Sequence, residues 1–368
     1  MRDSEAVPQT PRTRPGKQKV FVHLAKAPEI VLSVPAKVNP GYEEAERANR
    51  LWARQMRLVT SDAATQRFDD SDWGGFTARN YPTAALDDLT LLTGWMSWMG
   101  QLDDQQAEGT YRTVDSWLEV IPGLLAVTTS GGAGSHPCQG ALETALADLL
   151  RRTLPRFTDA WRERFAVHLR EIFEGLLVES ELSANCVPTS VSDYMLRRRG
   201  SAMVAPSMDL IELALGVELP AVVAMSSTYR FLVSAATDLI CWHNDLYSLD
   251  KEIARGNATN LILVLEEADG MDRSAAVAAV VHRANRRTQE FSEAAQRLPV
   301  VLQALGEDAS VALRCVEGMQ YWIRGNVEWC KYSTRYSQFE QGIGVPEHVE
   351  DLFTHDHDTS GAQPRDRG

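Results

Sequence analysis

The chain has few cysteines, and their spacing excludes two kinds of structural site. There are five among 368 residues, and no two of them are separated by only two residues. A disulfide scaffold needs paired cysteines in a small secreted domain, and a structural zinc site needs closely spaced ligands. Neither is expected here. The five are Cys138, Cys186, Cys241, Cys315 and Cys330.

Long apolar runs and an excess of positive charge are also missing. No apolar run reaches the roughly 18 residues that a membrane-spanning helix needs, and residues 1–19 lack the apolar core of a secretory signal. The net charge is −13, so no nucleic acid partner is expected, because phosphate backbones require concentrated Lys and Arg. The predicted location is the cytoplasm.

The apolar/polar alternation of β-strands is absent, and no Gly/Ser/Pro-rich linker divides the chain. Amphipathic stretches with helical spacing are present instead, which predicts an all-α protein. They cover 43–55, 86–99, 141–152, 162–182, 220–252, 274–296 and 310–329.

A polar triad repeats at four-residue steps in the stretch 244–252. Asn244, Ser248 and Glu252 each carry a side-chain oxygen, and a four-residue step advances about 40° around a helix, so the three share one face. Such oxygen ligands suit Mg²⁺, which usually shares its shell with a substrate phosphate, and Lys251 adds a cation able to hold phosphate. The alternative is a solvated polar helix face. The largely apolar stretch before the triad favours the metal site, because it predicts a helix that leaves a buried core.

A second acidic group lies at 103–108. Asp103 and Asp104 are adjacent, and Glu108 follows Asp104 by one helical turn, after a stretch rich in Trp and Met. Carboxylates at a helix C-terminus oppose the helix dipole and repel one another, so a bound cation would stabilise them. A solvated helix end explains these acids equally well when they are taken alone.

Taken together, the two motifs resemble those of bacterial class I terpene synthases. That family has a DDxxD or DDxxxE motif opposite a second motif, (N/D)Dxx(S/T)xxxE; residues 103–108 match the first and 244–252 the second. The resemblance spans roughly residues 21–345 and implies one all-α catalytic domain, a helical bundle around a central cavity. Residues 1–20 and a polar tail at 346–368 are then expected to be disordered.

The same resemblance assigns residues that bind the diphosphate. Arg198, 46 residues before Asn244, matches the diphosphate-sensing arginine, and Ser201 and Ala202 match the linker and effector positions after it. The neighbouring Arg197 and Arg199 are interpreted as solvated or paired surface residues.

Near the C-terminus, Arg335 and Tyr336 match the pair that caps the diphosphate in this family. The resemblance therefore implies a prenyl diphosphate held by Arg198, Lys251, Arg335 and Tyr336, together with three Mg²⁺ ions. The ligands implied for the metal are Asp103, Asp104, Glu108, Asn244, Ser248 and Glu252.

Candidates for the lining of an apolar cavity are Trp95, Met96, Met99 and Trp322, by their helical offset from the motifs or by family analogy. Aromatic faces stabilise a carbocation. Ordinary core packing is an equally good interpretation of each of these side chains.

The function expected from the resemblance is Mg²⁺-dependent ionisation of a prenyl diphosphate and cyclisation to a sesquiterpene, with farnesyl diphosphate favoured by the domain size. A diterpene synthase acting on geranylgeranyl diphosphate is the main alternative. A chain-elongating prenyltransferase is less favoured, because it should carry a second aspartate-rich motif. A non-catalytic isoprenoid-binding protein is the alternative from another class, and a homodimer is expected from base rates alone.

Overall fold

The computed structural model describes residues 31–134, 138–185, 190–256, 259–336 and 344–354, and over these ranges the protein is helical with no β-strand. The all-α prediction is confirmed. Residues 1–20 and most of 346–368, which we expected to be disordered, lie outside the described residues. The helices are α1 (Tyr42–Gln55), α2 (Asp62–Asp70), α3 (Trp73–Asn80), α4 (Leu86–Ala107), α5 (Val114–Thr129), α6 (Ala141–Thr153), α7 (Asp159–Asn185), α8 (Val191–Ser201), α9 (Val204–Leu215), α10 (Ala221–Ala224), α11 (Ser227–Arg255), α12 (Leu261–Ala268), α13 (Arg273–Ala304) and α14 (Ser310–Tyr332), with 3₁₀ helices at Leu154–Arg156 and Thr334–Tyr336.

Every stretch predicted to be amphipathic forms helix, but the stretch 220–252 is divided. The short α10 ends at Ala224, and α11 begins after Ser226, whose side chain accepts a hydrogen bond from the backbone N–H of Tyr229 at 3.3 Å. Ser226 has extended backbone angles typical of an N-cap. The prediction of one continuous helical stretch over 220–252 was therefore wrong at its N-terminal end. The capping residue Ser226 begins a new helix there in spite of the apolar pattern.

Helix α3 was not predicted, and tertiary contacts explain why it forms. It contains Gly74 and Gly75, which have low helix propensity. Asp72 caps its first turn by accepting from the Gly75 N–H at 3.2 Å, and the Gly74 N–H donates to the Glu46 carboxylate of α1 at 2.6 Å. A side chain at Gly74 would collide with Glu46, so the glycine allows α3 and α1 to approach closely.

Helices α4 and α11 pass through the centre of the bundle. Residues 91–100 of α4 and 235–243 of α11 are buried without interruption. α4 packs on α1, α3, α6 and α9, whereas α11 packs on α8, α13 and α14. Each helix therefore carries its polar motif out of a packed core, as the apolar stretches before the motifs had indicated.

The segment 344–354 packs against the bundle. Leu352 and Phe353 are buried, and the Phe353 ring lies 4.6 Å from that of Tyr111 between centroids. The Glu350 carboxylate accepts hydrogen bonds from the backbone N–H groups of Thr60 and Ser61 at 2.8 and 2.6 Å. The part of the predicted tail between 346 and 354 thus has defined contacts.

Gly100 provides a test of how tightly the core is packed around α4. A methyl group at this position would overlap the indole of Trp73, so Gly100→Ala should lower the free energy of unfolding by about 1–3 kcal/mol through overpacking. Thermal or urea denaturation measures the change.

Gly200→Ala in α8 is the matched control. The nearest atom to a methyl group there is the Glu171 carbonyl oxygen at 3.7 Å, an ordinary contact. This replacement should be neutral or stabilise by about 0.4–1 kcal/mol. Equal stability of the two variants would contradict the packing described.

Candidate active site

Helix α4 ends in the three acids of the first motif, and they do not face the same surroundings. The Asp103 side chain is half exposed, whereas the Asp104 and Glu108 side chains are largely buried. Only Asp103 of the three lines the polar cavity described below.

Asp104 is paired with Arg335. The guanidinium donates two hydrogen bonds to the Asp104 carboxylate, at 2.8 and 2.7 Å, and a longer one of 3.4 Å to Asp103. It also lies over the Trp73 ring, 5.3 Å from the centroid. Bidentate arginine–carboxylate pairs are among the strongest charged hydrogen bonds, so Asp104 fixes the position of Arg335.

Glu108 is paired with Lys251. The Lys251 ammonium lies 2.6 Å from one carboxylate oxygen, and the His348 imidazole lies 3.3 Å from the other. Burial opposes ionisation of Glu108, but the His348 hydrogen bond and the Lys251 charge outweigh it and hold the Glu108 pKa well below its ordinary value. Glu108 therefore acts as a partner of Lys251.

The second motif lies along one face of α11, as its spacing predicts. The Ser248 hydroxyl donates to the Glu252 carboxylate at 2.8 Å, and the Asn260 side chain donates to the other Glu252 oxygen at 2.6 Å. Burial, together with the nearby charge of Asp245, raises the Glu252 pKa to about 7. Asn244, Ser248 and Glu252 all line the polar cavity.

Asp245, the next residue along α11, points into the protein. Its carboxylate accepts from the Leu261 backbone N–H at 3.0 Å and from the Tyr194 hydroxyl. The Asn260 amide also donates to the Asp245 carbonyl at 2.8 Å. Asp245 therefore joins α11 to α8 and α12, and Asn260 supports both it and Glu252.

Arg198 reaches the second motif across 46 residues of sequence. Its guanidinium donates to the Asn244 amide oxygen at 3.1 Å, and the Asn244 amide nitrogen donates to the Tyr336 hydroxyl at 2.7 Å. The Ser201 hydroxyl donates to Glu179 of α7. Arg198, Asn244 and Tyr336 thus form one hydrogen-bonded chain across three helical segments.

The backbone changes direction sharply just after α8. Met203 has a φ of +59°, a left-handed backbone conformation that residues other than glycine rarely adopt. Ala202 and Met203 both line the apolar cavity described next. This turn therefore separates α8 from α9 directly at the wall of a cavity.

Two cavities, each of about 150 Å³, meet at five shared residues. The first is polar and also includes Ser248, Lys251 and Glu252 in its lining. The second is lined mainly by apolar residues, with aromatic and sulfur-containing side chains prominent among them. The residues common to both are Asp103, Arg198, Asn244, Arg335 and Tyr336.

The apolar cavity follows one stripe of α4. Met96, Met99 and Gly100 line it, and Asp103 continues the stripe at its polar end. Spacings of three, four and seven residues place all four on one helix face. Met96 and Met99, both candidates for the lining from the sequence, thus lie at this cavity.

Trp95 corrects one prediction. Its indole N–H donates to Thr153 at 2.9 Å, and its ring packs edge-on against Phe165 at 5.2 Å between centroids. Trp95 precedes Met96 by one residue, or about 100° around the helix, which turns it toward α6 and α7. Its place is in the core, away from the lining of the apolar cavity.

Several lining residues were missed by sequence reasoning. Trp73 and Phe76 come from the unpredicted helix α3, and Asn326 and Trp329 lie on the same face of α14 as Trp322. The last two follow the predicted Trp322 at spacings of four and seven residues, so the helical pattern contained a signal for them. The ring of Phe76 lies 5.4 Å from Trp322 and 4.7 Å from Trp329. Together they form an aromatic wall.

The donor atoms of the polar cavity fit a hard cation. Its described lining holds carboxylate, amide and hydroxyl oxygens but no His or Cys, the set that Mg²⁺ prefers. Among the residues that the structure describes, no three His, Cys, Asp or Glu side chains converge as a preformed site. The carboxylates do not converge because Asp104 is paired with Arg335 and Glu108 with Lys251.

No helix in the described ranges is both long and apolar enough to cross a membrane.

Comparisons with known proteins agree with this geometry. The family model "Terpene synthase family 2, C-terminal metal binding" matches residues 94–290. The chain is 34% identical over 271 residues to (-)-delta-cadinene synthase of Streptomyces clavuligerus, covering 72% of this chain and 81% of that protein. It is 29% identical over 309 residues to (+)-T-muurolol synthase of Roseiflexus castenholzii, which cyclises (2E,6E)-farnesyl diphosphate, covering 84% and 93%.

A solved structure shares the fold. The linalool/nerolidol synthase of Streptomyces clavuligerus in complex with 2-fluorogeranyl diphosphate superposes with a TM-score of 0.75 at 25% identity, covering 84% of this chain and 100% of that one. With residues of both sequence motifs at one cavity and a family match over more than half of its length, the chain belongs to terpene synthase family 2.

Proposed function

We propose that this enzyme is a Mg²⁺-dependent sesquiterpene cyclase that ionises farnesyl diphosphate, cyclises the resulting carbocation and releases diphosphate. The observation that carries the proposal is the pair of cavities that meet at Asp103, Arg198, Asn244, Arg335 and Tyr336. The polar cavity suits the diphosphate, and the aromatic one suits the hydrocarbon chain.

Farnesyl diphosphate is favoured by the relatives, since the muurolol synthase acts on this substrate and aligns over 84% of the chain. A diterpene synthase acting on geranylgeranyl diphosphate is the alternative. Three metal ions, a homodimer and a cytoplasmic location stay predictions.

Acidic, amide and hydroxyl side chains would hold the metal. Asp103 on α4 and Asn244, Ser248 and Glu252 on α11 present oxygens to the polar cavity. Bound there, Mg²⁺ supplies Lewis-acid charge that stabilises the leaving diphosphate.

The basic side chains hold the diphosphate. Arg198, Lys251 and Arg335 supply positive charge, and the Tyr336 hydroxyl supplies a further hydrogen-bond donor at the same cavity. Because these donors are already placed around the leaving group, they stabilise the negative charge that develops as the carbon–oxygen bond breaks. The bonding electron pair leaves with the diphosphate oxygen, and an allylic cation remains.

The aromatic wall then receives the allylic cation. The Phe76 ring contacts those of Trp73, Trp322 and Trp329. Each aromatic face can stabilise a desolvated cation by about 0.5–2 kcal/mol. Burial of these rings excludes water that would otherwise capture the cation early. The wall therefore protects the intermediate and shapes its folding.

Because the cationic side chains of the site are paired with acids, the binding of Mg²⁺ and the binding of diphosphate depend on each other. Arg335 is held by Asp104, and Lys251 by Glu108. Diphosphate alone must separate these pairs and leave the acids uncompensated, whereas metal alone must displace the cations. Bound together, the two ligands compensate both sets of charges. Mg²⁺ and diphosphate should therefore bind cooperatively.

Incubation with geranyl, farnesyl and geranylgeranyl diphosphate separately, followed by gas chromatography–mass spectrometry, tests the substrate. We expect a cyclic C15 product from farnesyl diphosphate with Mg²⁺ and none with excess chelator. A cyclic C20 product as the main outcome would replace the sesquiterpene assignment with the diterpene alternative. Intact substrate in all three reactions would reject the proposed function.

Glu252→Gln tests the metal site, because it keeps the size of the side chain but removes its charge. Turnover of farnesyl diphosphate should fall about 100-fold or more, since metal-based charge stabilisation contributes several kcal/mol. Steady-state kinetics across a Mg²⁺ titration measures the loss. Glu267→Gln is the control, because Glu267 is exposed on the neighbouring α12; a similar loss in both variants would argue against a specific metal site.

Isothermal titration calorimetry tests cooperative binding. Inorganic diphosphate should bind at least about tenfold more tightly with Mg²⁺ present, a coupling of about 1.4 kcal/mol. In Arg335→Gln, Mg²⁺ alone should bind more tightly than to the wild type, because Asp103 loses the guanidinium that contacts it at 3.4 Å. Independent binding of the two ligands to the wild type would contradict the charge-pairing argument.

A further inference from the structure

Two consecutive arginines of α8 contact the central helix α11 at different points. Arg198 donates to Asn244 within the metal motif. Arg199 donates to Asp238 instead, with its Nε 2.7 Å and its Nη2 2.8 Å from the two carboxylate oxygens. Arg198 lines the polar cavity, whereas Arg199 lines a separate groove behind α8. The two contacts hold two different faces of one short helix.

Asp238 is not an ordinary surface partner. It is 3% exposed, and a second arginine, Arg287 of α13, lies 2.8 Å from the oxygen that Arg199 also contacts. Arg287 is itself held by Glu290 at 2.9 Å and lies over the Phe231 ring, 4.7 Å from its centroid. A buried carboxylate thus has three guanidinium contacts from two helices.

The spacing of Asp238 and Asn244 along α11 allows the contacts of Asp238 to restrict the orientation of α8. Asp238 and Asn244 are six residues apart, or about 9 Å along the helix. Adjacent side chains on α8 point about 100° apart, so Arg198 and Arg199 cannot both keep their partners if α8 rotates about its own axis. A bidentate pair also restricts the orientation of the helix more than a single contact does.

We propose that Arg199 and Asp238 are positioning residues that set the orientation of α8 and thereby place Arg198 at the diphosphate. Arg287 extends this restraint to α13. The proposal rests on the proposed function, since it assigns the restraint to the diphosphate site. Neither Arg199 nor Asp238 touches the substrate; both act through Arg198.

The experiment compares Arg199→Gln and Asp238→Asn with Arg286→Gln. Arg286 adjoins Arg287 on α13, but its side chain is 75% exposed, and among the described residues its ion pair is with Glu290 of its own helix. Calorimetry with inorganic diphosphate and Mg²⁺, and steady-state kinetics with farnesyl diphosphate, are the readouts. We expect diphosphate affinity and kcat to fall about 10- to 100-fold in the first two variants and to stay at wild-type values in Arg286→Gln.

A double variant separates positioning from general stability. If Arg199 acts through Arg198, adding Arg199→Gln to Arg198→Gln should weaken diphosphate binding no further than Arg198→Gln alone. Fully additive losses would overturn the proposal, as would wild-type affinity in Arg199→Gln. A fall in melting temperature with unchanged affinity and kcat of the folded fraction would show a merely structural role and would also overturn it.

A conservative variant keeps the test decisive if Asp238→Asn does not fold. Arg199→Lys retains the charge but loses the bidentate geometry, so it should recover part of the affinity lost in Arg199→Gln; no recovery would count against the proposal. The binding experiment needs no prenyl substrate. Wild-type protein that binds Mg²⁺ and diphosphate but does not cyclise farnesyl diphosphate would refute the proposed function and leave the positioning test valid.

Discussion

The ion pair between Arg335 and Asp104 joins the segment after α14 to helix α4 across 231 residues of sequence. It is buried, bidentate and covered by the Trp73 ring. Because the neighbouring Tyr336 accepts a hydrogen bond from Asn244, this one attachment brings α4, α11 and the segment after α14 to a single cavity. The placement of Arg335 and Tyr336 in the lining of both cavities depends on it.

Charge compensation governs the rest of the site. A buried carboxylate is costly unless a cation or several hydrogen bonds stabilise it, and here Arg335 and Lys251 fill that role for Asp104 and Glu108. The same cations are needed for the diphosphate in the proposed reaction. A strongly acidic protein could therefore bind an anionic substrate in the proposed reaction, because bound metal ions would supply the compensating positive charge locally.

Two helices of the bundle, α4 and α8, each have two distinct functional faces. On α4, the stripe from Met96 to Asp103 lines the cavities, while Trp95 packs into the core on another face. On α8, adjacent arginines point to different places, one into the site and one to a buried aspartate behind it. Precise placement of the reacting groups thus depends on residues that never contact the substrate, since the orientation of a helix fixes all of its faces at once.

The sequence by itself determined the helical class, the two acidic motifs and the identity of most charged residues at the site, because helical periodicity and ligand chemistry are local properties. The four-residue steps alone were enough to put Asn244, Ser248 and Glu252 on one helix face. Only the tertiary structure decided that Trp95 lies in the core, that α3 contributes Trp73 and Phe76, and that Glu108 pairs with Lys251. These features depend on which helices pack together and at what rotation, and such contacts between distant residues leave no regular pattern in the chain.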